Sequence, residues 1–342
     1  MEKSNSKIKT IWTTLKVTKF RESPIRFPGL DGAKGLLVLM VVMTHCLPKS
    51  TFLYFMYFFH MPLFMAISGF LVKISTFKDG FSGYIQRMWS RLIIPWCIAS
   101  LLFLPFQLNE NGIYEFEYTS FLYPYYHLWY IPSLLIGAFL CYSVLRWHVS
   151  IWFLLIITAV FSIIWYNIYR DTNIPIKQLP LYWLGDKRLF AYLFFFILGF
   201  SIRNKLIPLS FKVEYILFIL TVSFSVVVFL VFKHSGNLII VWPYMVFNAS
   251  LVIFVLVFIA PQRWLQHKLL LWINNNSLGF YLFHPLFQIS IYDFILKDKA
   301  QVKVTHLESI LIFLIVFTLT ALLIKLLQQF KITNKLLLGN IK

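Results

Sequence analysis

Apolar runs long enough to cross a bilayer recur along almost the whole chain, and the breaks between them are too short to hold a separate soluble domain. A backbone surrounded by lipid must satisfy its own hydrogen bonds, which leaves helices and closed barrels as the spanning elements. The alternating ten-residue strands of a barrel do not occur, so the expected class is all-α, a polytopic helical bundle. Composition agrees, with 59% of the 342 residues hydrophobic, 13% charged and a mean hydropathy of +0.75. Hydropathy interrupted by charges and turn residues predicts about ten spans, at 35–48, 51–72, 88–108, 127–145, 150–168, 189–202, 212–232, 238–260, 270–296 and 308–330. The first and sixth are short, and Asn274, Asn275 and Asn276 interrupt the ninth.

With alternate loops assigned to alternate sides, 22 of the 31 Lys and Arg residues fall on the side of the N-terminus and nine on the other. The positive-inside rule then predicts both termini in the cytoplasm. Residues 1–28 read as a basic cytoplasmic tail without a signal-peptide pattern, 29–331 as the membrane domain and 332–342 as a cytoplasmic C-terminal tail. A net charge of +18 would suit nucleic acid, but the excess lies at span ends on one side, where anionic lipid headgroups account for it. Membrane lipids are therefore expected partners and nucleic acid is not. Cys46, Cys97 and Cys141 have no CxxC spacing and no matching His cluster, which argues against a metal site and a disulfide framework.

Ionisable residues within such spans stand out. Lys34 and His45 are eleven apart, which returns them to nearly the same helix face about 16 Å apart along the axis. An intramembrane histidine is a functional candidate. Leu30-Asp31-Gly32-Ala33-Lys34-Gly35 followed by His45, then Phe59-His60-Met61-Pro62-Leu63-Phe64 and Ile67-Ser68-Gly69-Phe70, form one series of motifs. Arg91-Leu92-Ile93-Ile94-Pro95, His127-Leu128-Trp129-Tyr130 and Tyr281-Leu282-Phe283-His284-Pro285 continue it in order. From about residue 28 to 330 this series resembles the acyltransferase-3 group of integral membrane acyltransferases, closest to its sugar O-acetylase branch.

The resemblance implies transfer of an acetyl or short acyl group from acyl-CoA to a carbohydrate hydroxyl in the cell envelope. Acetyl-CoA would be a donor substrate, with no permanently bound cofactor. The protein would be a multi-pass protein of a plasma membrane, that of a bacterium. Such transfer needs a base at the hydroxyl or a nucleophile that carries the acyl group, and His45 suits either part because an imidazole of low polarity surroundings favours its neutral form. A buried histidine bonding a neighbouring helix is the alternative. Lys34 would hold a donor phosphate, or is an ordinary interfacial lysine. Arg87 and Arg91, four apart at a helix start, would grip the phosphates of coenzyme A, or are topology-setting arginines at headgroups. The family spaces these arginines three apart, and Met88 stands there, so the correspondence is firmer for Arg91.

His60, Ser68 and His284 are candidates for shaping a substrate channel, Trp129 for a sugar platform or an interface anchor, and Asp31 for a partner of Lys34 or a helix-start carboxylate. Residues 109–126 and 169–188 combine aromatic rings with hydrogen-bonding groups, a composition shared by carbohydrate sites and interfacial belts. Two other classes remain open at this point: an exporter of polysaccharide without transferase activity, and a polysaccharide polymerase or lipid-linked glycosyltransferase. Short loops weigh against the last.

Overall fold

The structure is a computed structural model that describes residues 27–47, 51–111, 123–168, 185–186, 188–208, 212–232, 237–263, 265–296 and 305–340. The described residues form helices and turns, with no strand among them. Residues 1–26 of the basic N-terminal tail and most of the 109–126 and 169–188 stretches lie outside the described residues.

Helix α1 spans Pro28–Cys46, with Pro28 at its first position, where a missing N–H costs nothing. Gly29, Gly32 and Gly35 line one face three residues apart, and a Cβ built on them would stand 2.2, 2.0 and 2.1 Å from the carbonyl oxygens of Ile259, Leu265 and Leu270. Backbone therefore meets backbone there, as small residues allow between membrane helices. The Gly29 amide donates to the carbonyl of Ala260 at 3.1 Å, satisfying one of the free donors of the helix start.

Helix α2 (Thr51–Phe70) follows, and a 3₁₀ turn at Ile74–Phe77 leads to α3 (Gly80–Met88). A π turn, Trp89–Ile93, joins α3 to α4 (Ile94–Asn111) without a break. Ile94 donates to the carbonyl of Trp89, five residues back, and Pro95 has no amide for the carbonyl of Arg91. After α5 (Tyr130–Trp147) and α6 (Ile151–Ile168), the short α7 (Arg188–Ala191) runs into α8 (Leu193–Arg203). A second glycine contact locks α8 on α2: a Cβ on Gly69 would lie 1.9 Å from the carbonyl oxygen of Phe196, and one on Gly199 1.9 Å from that of Ala66.

Helices α9 (Val213–Phe232) and α10 (Asn237–Phe254) form the next pair, and a second π turn at Val255–Ile259 turns the chain towards α1. The triple asparagine is a true break: α11 (Lys268–Asn275) ends there and α12 (Ser277–Leu296) begins, with Asn276 donating to the Trp272 carbonyl at 2.8 Å and accepting from Gln328 at 2.6 Å. A capping box of Thr305 and Glu308 opens α13 (His306–Gln329). The residues read as a C-terminal tail, 332–342, overlap α14 (Lys331–Leu338), which ends on Gly339 at φ 67° and packs against α4 and the first π turn.

Among the described residues, six helices are long and apolar enough to cross a membrane, in Pro28–Cys46, Gly80–Phe106, Tyr130–Trp147, Val213–Leu230, Val241–Ile259 and His306–Gln329. Phe55–Phe70 and Ile151–Ile164 are shorter apolar helices. The sixth and ninth expected spans are broken elements, α7 with α8 and α11 with α12. Large apolar side chains such as Phe218 and Leu322 stand exposed on α9 and α13, faces that suit lipid rather than water.

Candidate active site

One cavity of about 210 Å³ lies between the C-terminal end of α1, the middle of α2, the turn before α5, the α7–α8 junction and α12. Its wall carries four histidines, His45, His60, His127 and His284, together with Tyr57, Tyr126, Trp129, Tyr130, Arg188, Tyr192 and Tyr281. The His45 ring meets Tyr126 edge-on at 4.9 Å and His284 at 5.0 Å between centroids. His284 in turn lies 5.4 Å from His127, which packs 5.1 Å from Tyr281.

Two of these rings have a fixed tautomer. Nδ1 of His60 is 2.6 Å from the carbonyl oxygen of Met56, and Nδ1 of His284 is 2.6 Å from that of Phe280. A carbonyl only accepts, so in each ring Nδ1 carries the hydrogen and Nε2 keeps a lone pair. Nε2 of His284 and Nδ1 of His45 are buried with no hydrogen-bond partner among the described residues. His284 thus keeps an uncommitted lone pair on Nε2 beside the His45 ring, inside an aromatic enclosure. Proline helps to shape the wall. Pro62 has no amide for the carbonyl of Phe58, and Asn248 Nδ2 takes that oxygen instead at 3.1 Å.

The end of α1 is held by hydroxyls from two other helices. Tyr292 donates to the Cys46 carbonyl at 2.9 Å, and Tyr57 approaches that of Thr44 at 3.5 Å. Trp129 is buried and stacked on Tyr192 at 5.4 Å, with the Arg188 guanidinium 5.8 Å from its ring centre. Ser68 stands behind the wall, sharing a 2.5 Å hydrogen bond with the Tyr130 hydroxyl while donating to the Phe64 carbonyl.

The candidates for donor binding lie elsewhere. Lys34, Asp31, Arg87 and Arg91 are absent from the cavity wall. Asp31 accepts from Asn274 Nδ2 at 3.3 Å, tying α1 to α11. Arg87 pairs with Asp79 at 2.8 Å and also donates to the Thr76 carbonyl, whereas Arg91 is exposed on the π turn. Among the described residues, no three His, Cys, Asp or Glu side chains are arranged to hold a metal ion.

The family profile described as an acyltransferase domain matches residues 27–327. The chain belongs to the acyltransferase-3 family. It is similar to the nodulation protein NolL of Mesorhizobium japonicum, 26% identical over 145 residues, which are 36% of this chain and 38% of that protein. NolL of Sinorhizobium fredii is 30% identical over 139 residues, 34% of this chain and again 38% of the relative. The aligned part thus spans well under half the length of either relative. No solved structure matches significantly.

His45, His60, Trp129 and His284, chosen from sequence, meet in this acyltransferase-3 cavity. Residues that sequence reasoning left without a role join them. In the sequence His127 stands out only within a motif, Tyr126 and Arg188 only as the ends of the two aromatic stretches, and Tyr57 not at all. A usable signal existed for Arg188: an acid and a base two apart, Asp186 and Arg188, next to an apolar aromatic run.

Proposed function

We propose that the chain is a membrane O-acyltransferase that moves an acetyl or short acyl group from acyl-CoA to a hydroxyl of an envelope carbohydrate. The observation that carries this reading is His45, with an unpartnered nitrogen, set beside the tautomer-locked ring of His284 in an aromatic cavity. His45 acts as general base or as transient acyl carrier. In the first case the sugar oxygen attacks the thioester carbonyl while His45 takes the hydroxyl proton, and the C–S bond then breaks as the proton passes to the departing thiolate. Trp129, on the cavity wall, is the aromatic candidate for packing against a sugar ring.

The donor enters from the cytoplasm, with Lys34 and Arg91 as the phosphate-binding residues and Arg87 a weaker candidate because Asp79 already engages it. Lys34 is one long helix face away from His45, about 16 Å, a span comparable with an extended pantetheine arm. Both termini lie in the cytoplasm, and the protein resides in a bacterial inner membrane.

The test is incorporation of label from radiolabelled acetyl-CoA into envelope glycans by membranes with and without the protein, followed by mild alkali. Alkali-labile label that depends on the protein supports an O-acyl ester. Protein-independent label, or none with folded protein present, overturns the reading in favour of polysaccharide export.

A further inference from the structure

The turn that presents Tyr126 and His127 to the cavity is held at three successive carbonyls by three different elements. Tyr126 has φ 50°, a left-handed backbone that side-chain-bearing residues seldom adopt. Its carbonyl accepts from Arg188 Nη1, the His127 carbonyl from the Tyr281 hydroxyl at 2.8 Å, and the Leu128 carbonyl from Trp96 Nε1 at 2.9 Å. Irregular backbone at membrane depth persists where its polar groups are satisfied within the protein.

Arg188 is the charged member of this trio, and it is itself fixed. Its Nε lies 2.9 Å from both carboxylate oxygens of Asp186, its Nη2 also donates to that carboxylate, and its backbone amide donates to Asp186 Oδ1 at 2.8 Å. Asp186 is 6% exposed. Ser133 on α5 donates to the Leu189 carbonyl at 2.9 Å, so the pair stands on a tethered base. The guanidinium is neutralised by a buried carboxylate and spends its fork on Asp186 and on backbone. What it supplies to the cavity is orientation rather than an open anion site.

We propose that Asp186 and Arg188 form a positioning clasp that holds the Tyr126 backbone, so that the Tyr126 ring buttresses His45 and His127 buttresses His284. This rests on the reading of His45 as the acid–base or acyl-carrying group. Loosening the clasp misplaces the reacting imidazole without touching the donor.

The kinetic test uses Arg188→Met, Asp186→Asn and the double variant in the full chain, assayed with labelled acetyl-CoA. The expected result is a kcat lower by up to about 10²-fold, an acetyl-CoA KM within about twofold of wild type, and a double variant no worse than Arg188→Met. A raised KM at unchanged kcat, or losses that multiply, overturns the clasp. Where Arg188→Met does not accumulate, Arg188→Lys keeps the charge, removes the fork and is read by the same criteria.

An activity-independent arm combines His45→Cys and Tyr126→Cys with Cys46→Ser, Cys97→Ser and Cys141→Ser, and applies a short bifunctional thiol reagent. Cross-linking with the clasp intact and its loss on adding Arg188→Met supports the proposal, and undiminished cross-linking contradicts it. Absence of transfer by wild type together with clasp-dependent cross-linking would sink the acyltransferase reading and leave the clasp standing.

Discussion

The two ends of α1 are built by opposite means. Around Lys34 the helix is fixed backbone to backbone, with three glycines set against carbonyls of the segment from Ile259 to Leu270. Around His45 it is fixed by side chains, with tyrosine hydroxyls on its last carbonyls and aromatic rings about the imidazole. Glycine contacts leave no space for chemistry but define where the helix lies. Aromatic rings pack with gaps, and the cavity occupies those gaps. One end thus registers the helix and the other presents its histidine.

The largest effect that would break this contrast comes from filling the tight end. Gly35→Ala places a methyl 2.1 Å from the Leu270 carbonyl oxygen, which cannot swing away as a side chain can, and should cost about 1–3 kcal/mol by overpacking. Thermal unfolding in detergent reads this, and a stability equal to wild type would refute the backbone contact. At the cavity end, Gln replaces the outer nitrogen of a histidine better than Asn does. His284→Gln should therefore retain about tenfold more acyl transfer than His284→Asn if the Nε2 lone pair is what the cavity uses. Equal rates, or the reverse order, would leave only the structural bond to Phe280.

Smaller effects sharpen the comparison. Tyr281→Phe removes the donor to the His127 carbonyl and should lower stability by about 1 kcal/mol. At the third candidate region, the exposed ion pair of Arg87 with Asp79 is worth less than about 1 kcal/mol, so Arg87→Ala should barely change unfolding. Arg91→Ala should raise the KM for acetyl-CoA more than Arg87→Ala does, since Asp79 already occupies Arg87. The opposite ranking would reassign the phosphate contact.

Much of this was legible in the chain because membrane helices announce themselves locally. The shared face of Lys34 and His45 follows from spacing alone, and the asparagine break before α12 was visible as polarity inside an apolar run. Arg188 was not legible in its role, because the carbonyl it holds belongs to Tyr126, 62 residues earlier, and only folding brings them together. His127 stayed unassigned for the same reason, its neighbours Phe103, Tyr281 and His284 coming from other helices. The π turn at Trp89–Ile93 also escaped prediction. Pro95 within α4 has no amide for the Arg91 carbonyl, and that carbonyl is met by Gly339 from the far end of the sequence, where an added Cβ would stand 2.1 Å from the oxygen.

The central claim, that His45 is the reacting group, is tested most directly by comparing acyl transfer from radiolabelled acetyl-CoA into envelope glycans by wild type and His45→Ala at matched folded protein. Loss of a positioned general base lowers rates by about 10²–10⁴-fold, so labelling should fall to near background in the variant. Labelling equal to wild type would contradict the account and remove His45 from the chemistry.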